Sequence, residues 1–225
     1  MLRKRALLIL VALVTPVLMG SQCVFVASSR NNHVCVSTVD RPCKPKNKND
    51  PVVVIAVENG RFIDAPVQGL RYESGSLSGV SGKLGGFQYE AGNTVRFFVG
   101  DIALGEAAKG KPLVTPLDLI PNGTIDTPSV INIARLLQSL DFEPGDNLIT
   151  LPARLHTTAV RSNGEISASI QNLDYADDTA FANAASQLIS TLTAFYPFTA
   201  VLVDRQSARE HLARQLDMAG LSTGN

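Results

Sequence analysis

Tryptophan is absent from the 225-residue chain, and aromatic residues of all kinds make up only 6% of it. A sugar site built on stacked indoles is excluded, although Tyr and Phe remain for that role. Histidine is nearly as scarce: His33, His156 and His211 are the three, and no two stand at zinc-site spacing. Cysteine is confined to Cys23, Cys35 and Cys43, all near the N-terminus. No apolar run reaches the roughly 20 residues that a membrane-spanning helix needs. There is no internal repeat. The scarcity of His and Cys leaves no zinc-like ligand spacing.

Two glycine-rich stretches come close to catalytic motifs, and each fails at one position. Residues 105–112, GEAAKGKP, fill every place of a phosphate-binding loop but the last. Pro112 stands where a Ser or Thr hydroxyl must hold Mg²⁺ and open a helix. Residues 75–79, GSLSG, carry Leu77 where a nucleophile elbow needs serine. Ser76, Ser78 and Ser81 therefore read as turn residues. A triad built on His156 has nothing in the sequence to select its partners.

Charge excludes another class. The chain has 20 basic and 20 acidic residues, but Arg3, Lys4 and Arg5 belong to an N-terminal leader without acidic residues. Removing them leaves 17 basic against 20 acidic, a mature charge of about −3. Lys44, Lys46 and Lys48 fall in a linker, so the body is more acidic still. A broad nucleic-acid surface is not expected.

What is there begins with an address. Three basic residues, an apolar run from Ala6 to Gly20 and the small pair Gly20-Ser21 have the form of a secretory signal peptide over residues 1–22. Cys23 directly follows, which resembles a bacterial lipoprotein signal, with the cysteine lipidated as the first mature residue. Gln22 stands where such signals carry Gly or Ala, so an ordinary cut after Gly20 or Ser21 is the rival. If Cys23 carries lipid, Cys35 and Cys43 are left to pair as a disulfide in an oxidising compartment. Val24, rather than Asp, favours the outer membrane by analogy with such lipoproteins. Residues 23–50 are polar and Pro-containing and read as a tether.

Residues 51–114 read as a β-module. Val52 to Val57 is a β-branched strand, with Glu58-Asn59-Gly60 as the turn that ends it. Val67, Leu70 and Tyr72 form a second strand, and glycines at 75, 79, 82, 85 and 86 mark turns or bulges. Phe87 and Tyr89 alternate with polar neighbours, Glu90-Ala91-Gly92-Asn93 is expected to close a hairpin, and Val95, Phe97 and Val99 share one face. Short strands at this spacing point to a sandwich.

The pattern resembles a module of bacterial envelope lipoproteins of unknown function. Its carriers are Val67-Gln68-Gly69-Leu70-Arg71-Tyr72, then Gly86-Phe87-Gln88-Tyr89-Glu90-Ala91-Gly92, then the stretch from Val95 to Gly105. Thr115-Pro116-Leu117-Asp118-Leu119 and the segment NIARLLQSLD, from Asn132 to Asp141, continue it. The resemblance implies a transthyretin-like, carboxypeptidase-regulatory-like β-sandwich and an envelope location, and no activity. Similar proteins follow the helix with a calcium-like Asp/Gly loop. Here the order is scrambled and shortened, with Asp141, Glu143 and Asp146 as the ligands that a calcium site would use.

Residues 115–225 are expected to be mainly helical and to pack on or beside the module. Thr127-Pro128 offers a capping hydroxyl and a first-turn proline, and apolar residues recur at helical spacing from Val130 to Leu140. Leu148 to Leu151 is a short strand or an extended link. Ile166, Ala168 and Ile170 alternate as a weak strand. Asp177 and Asp204 cap two further helices, and Gly220 follows the last. Asp174, Asp177 and Asp178 cluster at a helix start, where capping is their ordinary role.

The fold expected is α+β: a small antiparallel β-sandwich followed by a helical C-terminal half. The function expected is a non-enzymatic bacterial envelope lipoprotein, held to the membrane by its lipid and acting as a binding, adhesion or structural module, with an envelope protein, a glycan or its own kind as partner. An envelope hydrolase assembled from distant residues and a calcium-stabilised module are the alternatives.

Overall fold

The computed structural model describes residues 34–37, 53–160, 166 and 173–221, and shows a mixed α+β protein. Cys23, Cys43 and most of the tether lie outside the described residues. Cys35 falls in a short strand, β1 (Val34–Ser37). Among the described residues no helix is long and apolar enough to cross a membrane.

The first sheet is built on β2 (Val53–Phe62). Strand β6 (Gly86–Glu90) runs antiparallel along one edge of it. β1 and β10 (Leu113–Val114) also pair with β2, both parallel to it, at its start and at its end. The second sheet has the order β5 (Leu77–Val80), β4 (Arg71–Ser74), β7 (Thr94–Val99), β8 (Ile102–Ala103), with β9 (Ala108–Lys109) also on β7. These pairings are antiparallel. A third, parallel pair joins β3 (Val67–Gln68) to β11 (Ile149–Thr150). The module is therefore not wholly antiparallel. The parallel pairings tie in segments that return from far along the chain.

Two expectations about turns are corrected. Glu58-Asn59-Gly60 does not end a strand. It lies inside β2, where Gly60 pairs with Phe87. Glycine is needed there for close approach, because a Cβ on Gly60 would sit 2.5 Å from the Phe87 ring and 2.7 Å from the Lys111 carbonyl oxygen. Likewise, residues 90–93 do not close a hairpin. They carry the chain from β6 in the first sheet to β7 in the second. Alternation explains the step: Phe87 and Tyr89 on one strand and Val95 and Phe97 on the other all enter one core.

That core holds both sheets. Phe97 of β7 lies 4.8 Å from Phe62 of β2 and 5.0 Å, edge-on, from Phe87 of β6, measured between ring centres. Such pairs add about 0.5–1.5 kcal/mol each beyond the area they bury.

Among the described residues, four helices follow: α1 (Pro128–Ser139), α2 (Ala153–Thr158), α3 (Asp178–Leu192) and α4 (Arg205–Met218). Helix α1 is apolar on two sides because it has two partners. Ile133, Leu136 and Leu137 join the core of the sheets, and Val130 and Ala134 pack with Leu212 and Leu216 of α4. Thr127 does stand at its N-cap, but its hydroxyl accepts from the Thr124 N–H rather than capping the helix. Asp177 and Asp204 cap α3 and α4 through their carboxylates, as expected. Ile166 is helical and buried, which counts against the strand expected there; Ala168 and Ile170 lie outside the described residues.

Candidate functional site

Three polar groupings carry the side chains with the most chemical potential. The first is a stripe on α1. Asn132, Arg135 and Gln138 stand three residues apart, so one face of an otherwise apolar helix is polar. Asn132 is fully buried and donates to the Tyr175 carbonyl (3.0 Å) and to Asp178 Oδ1 (2.9 Å). Arg135 donates from Nε to the Val203 carbonyl (2.8 Å) and from Nη1 to Asn132 Oδ1 (3.0 Å). Asp178 is also paired with Arg205. The stripe thus fastens the starts of α3 and α4 to α1.

Gln138 ends the stripe at the most heavily buried carboxyl group among the described residues. Asp64 has no exposed surface, and Gln138 Nε2 reaches its two oxygens at 3.1 and 3.3 Å. Burial pushes this carboxyl well above the usual carboxylate range, and the Gln138 bond offsets part of that. His211 of α4 meets the Asp64 carbonyl oxygen through Nε2 at 2.8 Å. A carbonyl only accepts, so Nε2 carries the proton.

The second grouping surrounds His156 on α2. Its Nδ1 accepts from the Gly100 N–H at 2.9 Å, and Nε2 donates to the Gly69 carbonyl oxygen. Both ring nitrogens are consumed by backbone, and one tautomer is fixed. Burial, reinforced by the nearby Arg71 cation, lowers its affinity for a proton, with the Gly69 bond opposing. His211 is lowered as well, chiefly by burial. The two histidines are used separately, each as a brace between a helix and a corner of the β-structure. Neither has a serine, threonine or cysteine side chain as a hydrogen-bond partner among the described residues.

The third grouping is the carboxylate of Glu90, held by Ser76 and Asn93. Ser76, read as a turn residue, is therefore a turn residue with its amide and hydroxyl both tied to β6.

Of the acidic residues singled out for calcium, Asp141 and Asp146 accept backbone hydrogen bonds. Asp141 Oδ1 accepts from the Thr150 N–H (2.9 Å) and the Glu143 N–H (3.2 Å), closing the link between α1 and β11. Asp146 Oδ1 accepts from the Leu148 N–H at 2.9 Å. Asp174 accepts from the Ala176 N–H, Asp177 caps α3 and Asp178 joins the α1 stripe, so that cluster also disperses. Among the described residues, no three His, Cys, Asp or Glu side chains gather as a metal-holding group. The residues 105–112 hold β9 and no helix start.

Concave surface lies elsewhere. A cleft of about 410 Å³ opens over β2 and β6, lined by Asn59, Gly60, Arg61, Gly86, Phe87 and Gln88, with Tyr72 of β4 at its side. Neither this cleft nor Asp64 was singled out from sequence. The α1 stripe had a signal, three polar residues at helical spacing in an apolar run. The cleft had none, because it exists only once β2 and β6 are in register.

Comparison with protein-family models, with curated proteins and with solved structures finds no match.

Proposed function

We propose that this chain is a non-enzymatic bacterial envelope lipoprotein that serves as a binding module, anchored through an acylated Cys23 and held off the outer membrane by residues 23–50. In this reading the two sheets that share the Phe62, Phe87 and Phe97 core form the transthyretin-like sandwich that the sequence resembles. Its partner is an envelope protein or glycan, and nucleic acid is not among its ligands.

The observation that carries the reading is how the reactive side chains are spent. Both nitrogens of His156 are taken by backbone, and His211 holds the Asp64 carbonyl. A hydrolase that uses His156 or His211 as its base needs that histidine free to exchange a proton with a nucleophile in reach. These histidines hold the scaffold together instead. The residues that carry the resemblance also have scaffold roles: Glu90 pins a turn, Thr115 and Asp118 form a capping box, and the NIARLLQSLD segment supplies the central helix.

Mass spectrometry of the mature N-terminus tests the anchor. The expected result is a diacylated or triacylated Cys23; a free terminus near Ser21 overturns it. Cross-linking and pull-down from envelope fractions test the binding role, which a clean absence of partners and of self-association would remove.

A further inference from the structure

We infer that the cleft over β2 and β6 is a binding site for an acidic saccharide, with Arg61 taking the sugar carboxylate and Asn59 and Gln88 its hydroxyls. The inference rests on the binding-module reading and names the ligand class for it.

The register builds the site. Asn59 stands opposite Gln88, and Arg61 opposite Gly86. Side chains alternate along a strand, so these four positions share the face of the ladder that points away from the Phe62 and Phe87 core. Asn59 and Arg61 are exposed and Gln88 is half-buried. Among the described residues the side chains of Asn59, Arg61 and Gln88 have no hydrogen-bond or ion-pair partner. The three polar groupings described above are tied to backbone or to one another; Asn59, Arg61 and Gln88 line a cleft and are left unused.

Gly86 is the decisive position. Its φ of −64° and ψ of 132° are ordinary extended values that any residue adopts. A Cβ there would lie 3.8 Å from its nearest neighbour, the Lys83 carbonyl oxygen. Neither backbone conformation nor packing requires glycine. Its effect is to leave a notch directly across from Arg61, where a cross-strand side chain would otherwise stand.

The chemistry selects the ligand. A guanidinium presents a planar fork that matches a carboxylate. Primary amides both donate and accept, as sugar hydroxyls do. The cleft volume falls within the roughly 300–1,000 Å³ of small-ligand sites. An extended peptide is disfavoured, because it would add to a free strand edge. At Arg61 both edges of β2 are paired, with β6 and with β10, and the Tyr72 ring lies 5.8 Å from that of Phe87 beside β6.

Calorimetric titration of the full mature chain with trigalacturonic acid is the test, with maltotriose as the neutral sugar and hexaglutamate as the acidic peptide. The expected result is binding of the uronate in preference to both. Arg61→Gln should weaken it by about tenfold or more, the loss of one charge-assisted hydrogen bond, and Gly86→Val should weaken it by filling the notch. Both variants should keep the parent melting temperature. No uronate binding, equal binding of maltotriose, preference for hexaglutamate, or binding indifferent to Arg61→Gln overturns the inference. Should Gly86→Val fail to fold, Arg61→Gln decides the matter alone, its side chain being exposed and unpaired. A parent chain that binds no uronate yet captures a protein partner from envelope fractions would remove the saccharide site and leave the binding-module reading standing.

Discussion

Glu90 of β6 holds Ser76 in the β4–β5 turn: its Oε1 accepts from both the backbone N–H and the hydroxyl of Ser76, at 2.5 Å each. Asn93 donates to the other oxygen, Oε2, at 2.5 Å. One carboxylate thus receives three donors and links the two sheets at the point where the chain crosses between them.

Glu90→Gln tests that link. With its amide oxygen towards Ser76, the new NH2 faces the exposed Asn93 side chain, which turns to present its own oxygen, so the bonds are kept but lose their charge. The expected cost is about 0.5–1.5 kcal/mol, the difference between charge-assisted and neutral hydrogen bonds. It is read as a fall in the urea midpoint at unchanged m-value.

Gly60→Ala should also destabilise, against the usual gain from replacing glycine in a strand. The added methyl group meets the Phe87 ring and the Lys111 carbonyl oxygen at under 3 Å. Backbone must move, and overpacking of this kind costs about 1–3 kcal/mol. Thermal unfolding checks the sign, and an unchanged or raised melting temperature would remove the close-approach account of this glycine.

Gly60 also shows where the sequence ceased to be readable. Its neighbours, Glu58 and Asn59, have turn character, and nothing local reveals that Phe87 and Lys111 crowd it. The same holds for residues 90–93, whose turn chemistry is right but whose two strands belong to different sheets. Parallel pairings such as Ile149 with Val67 join residues too far apart for any window to see. Local signals fared better. Asp177, Asp204 and Gly220 mark helix ends correctly because capping is settled within four residues. The apolar spacing of α1 predicted its burial, and Asn132, Arg135 and Gln138 on its third-residue spacing were visible as residue types. Their partners were not, since Asp178, Val203 and Asp64 come from three separate segments. The cleft was least visible of all, being a product of strand register.

His156 makes stability depend on pH. Its affinity for a proton is lowered on folding, chiefly by burial. The sign follows: below the unfolded value near 6.5 the unfolded chain binds the proton more readily, so stability is complete above that pH and is lost as pH falls through the window beneath it. Geometry agrees, because protonated Nδ1 cannot accept from the Gly100 N–H. His156→Gln should lower stability at pH 8 and flatten the acid limb of the urea-midpoint profile. His211, lowered in the same direction, leaves a residual slope. A variant whose acid limb matches that of the parent would show that His156 does not titrate with folding.

Asp64 acts with the opposite sign. Burial raises its carboxyl well above 3.8, so folding favours the protonated form. Its contribution is fully present below 3.8 and is lost as pH rises towards the raised folded value. Asp64→Asn keeps an oxygen for Gln138 Nε2 and removes the ionisable group. The variant should therefore melt higher than the parent at pH 8, with the gap closing as pH is lowered. Gln138→Leu provides the complement: it withdraws the one side-chain bond that favours the charged carboxyl and leaves Asp64 without its donor. Its expected cost at pH 8 is about 1–3 kcal/mol, as for other buried groups left unpaired. In the double variant, the amide introduced by Asp64→Asn carries no charge to be left unpaired, so the loss from Gln138→Leu should shrink. Two additive single effects would separate the residues and place the penalty of the buried carboxyl elsewhere in its surroundings.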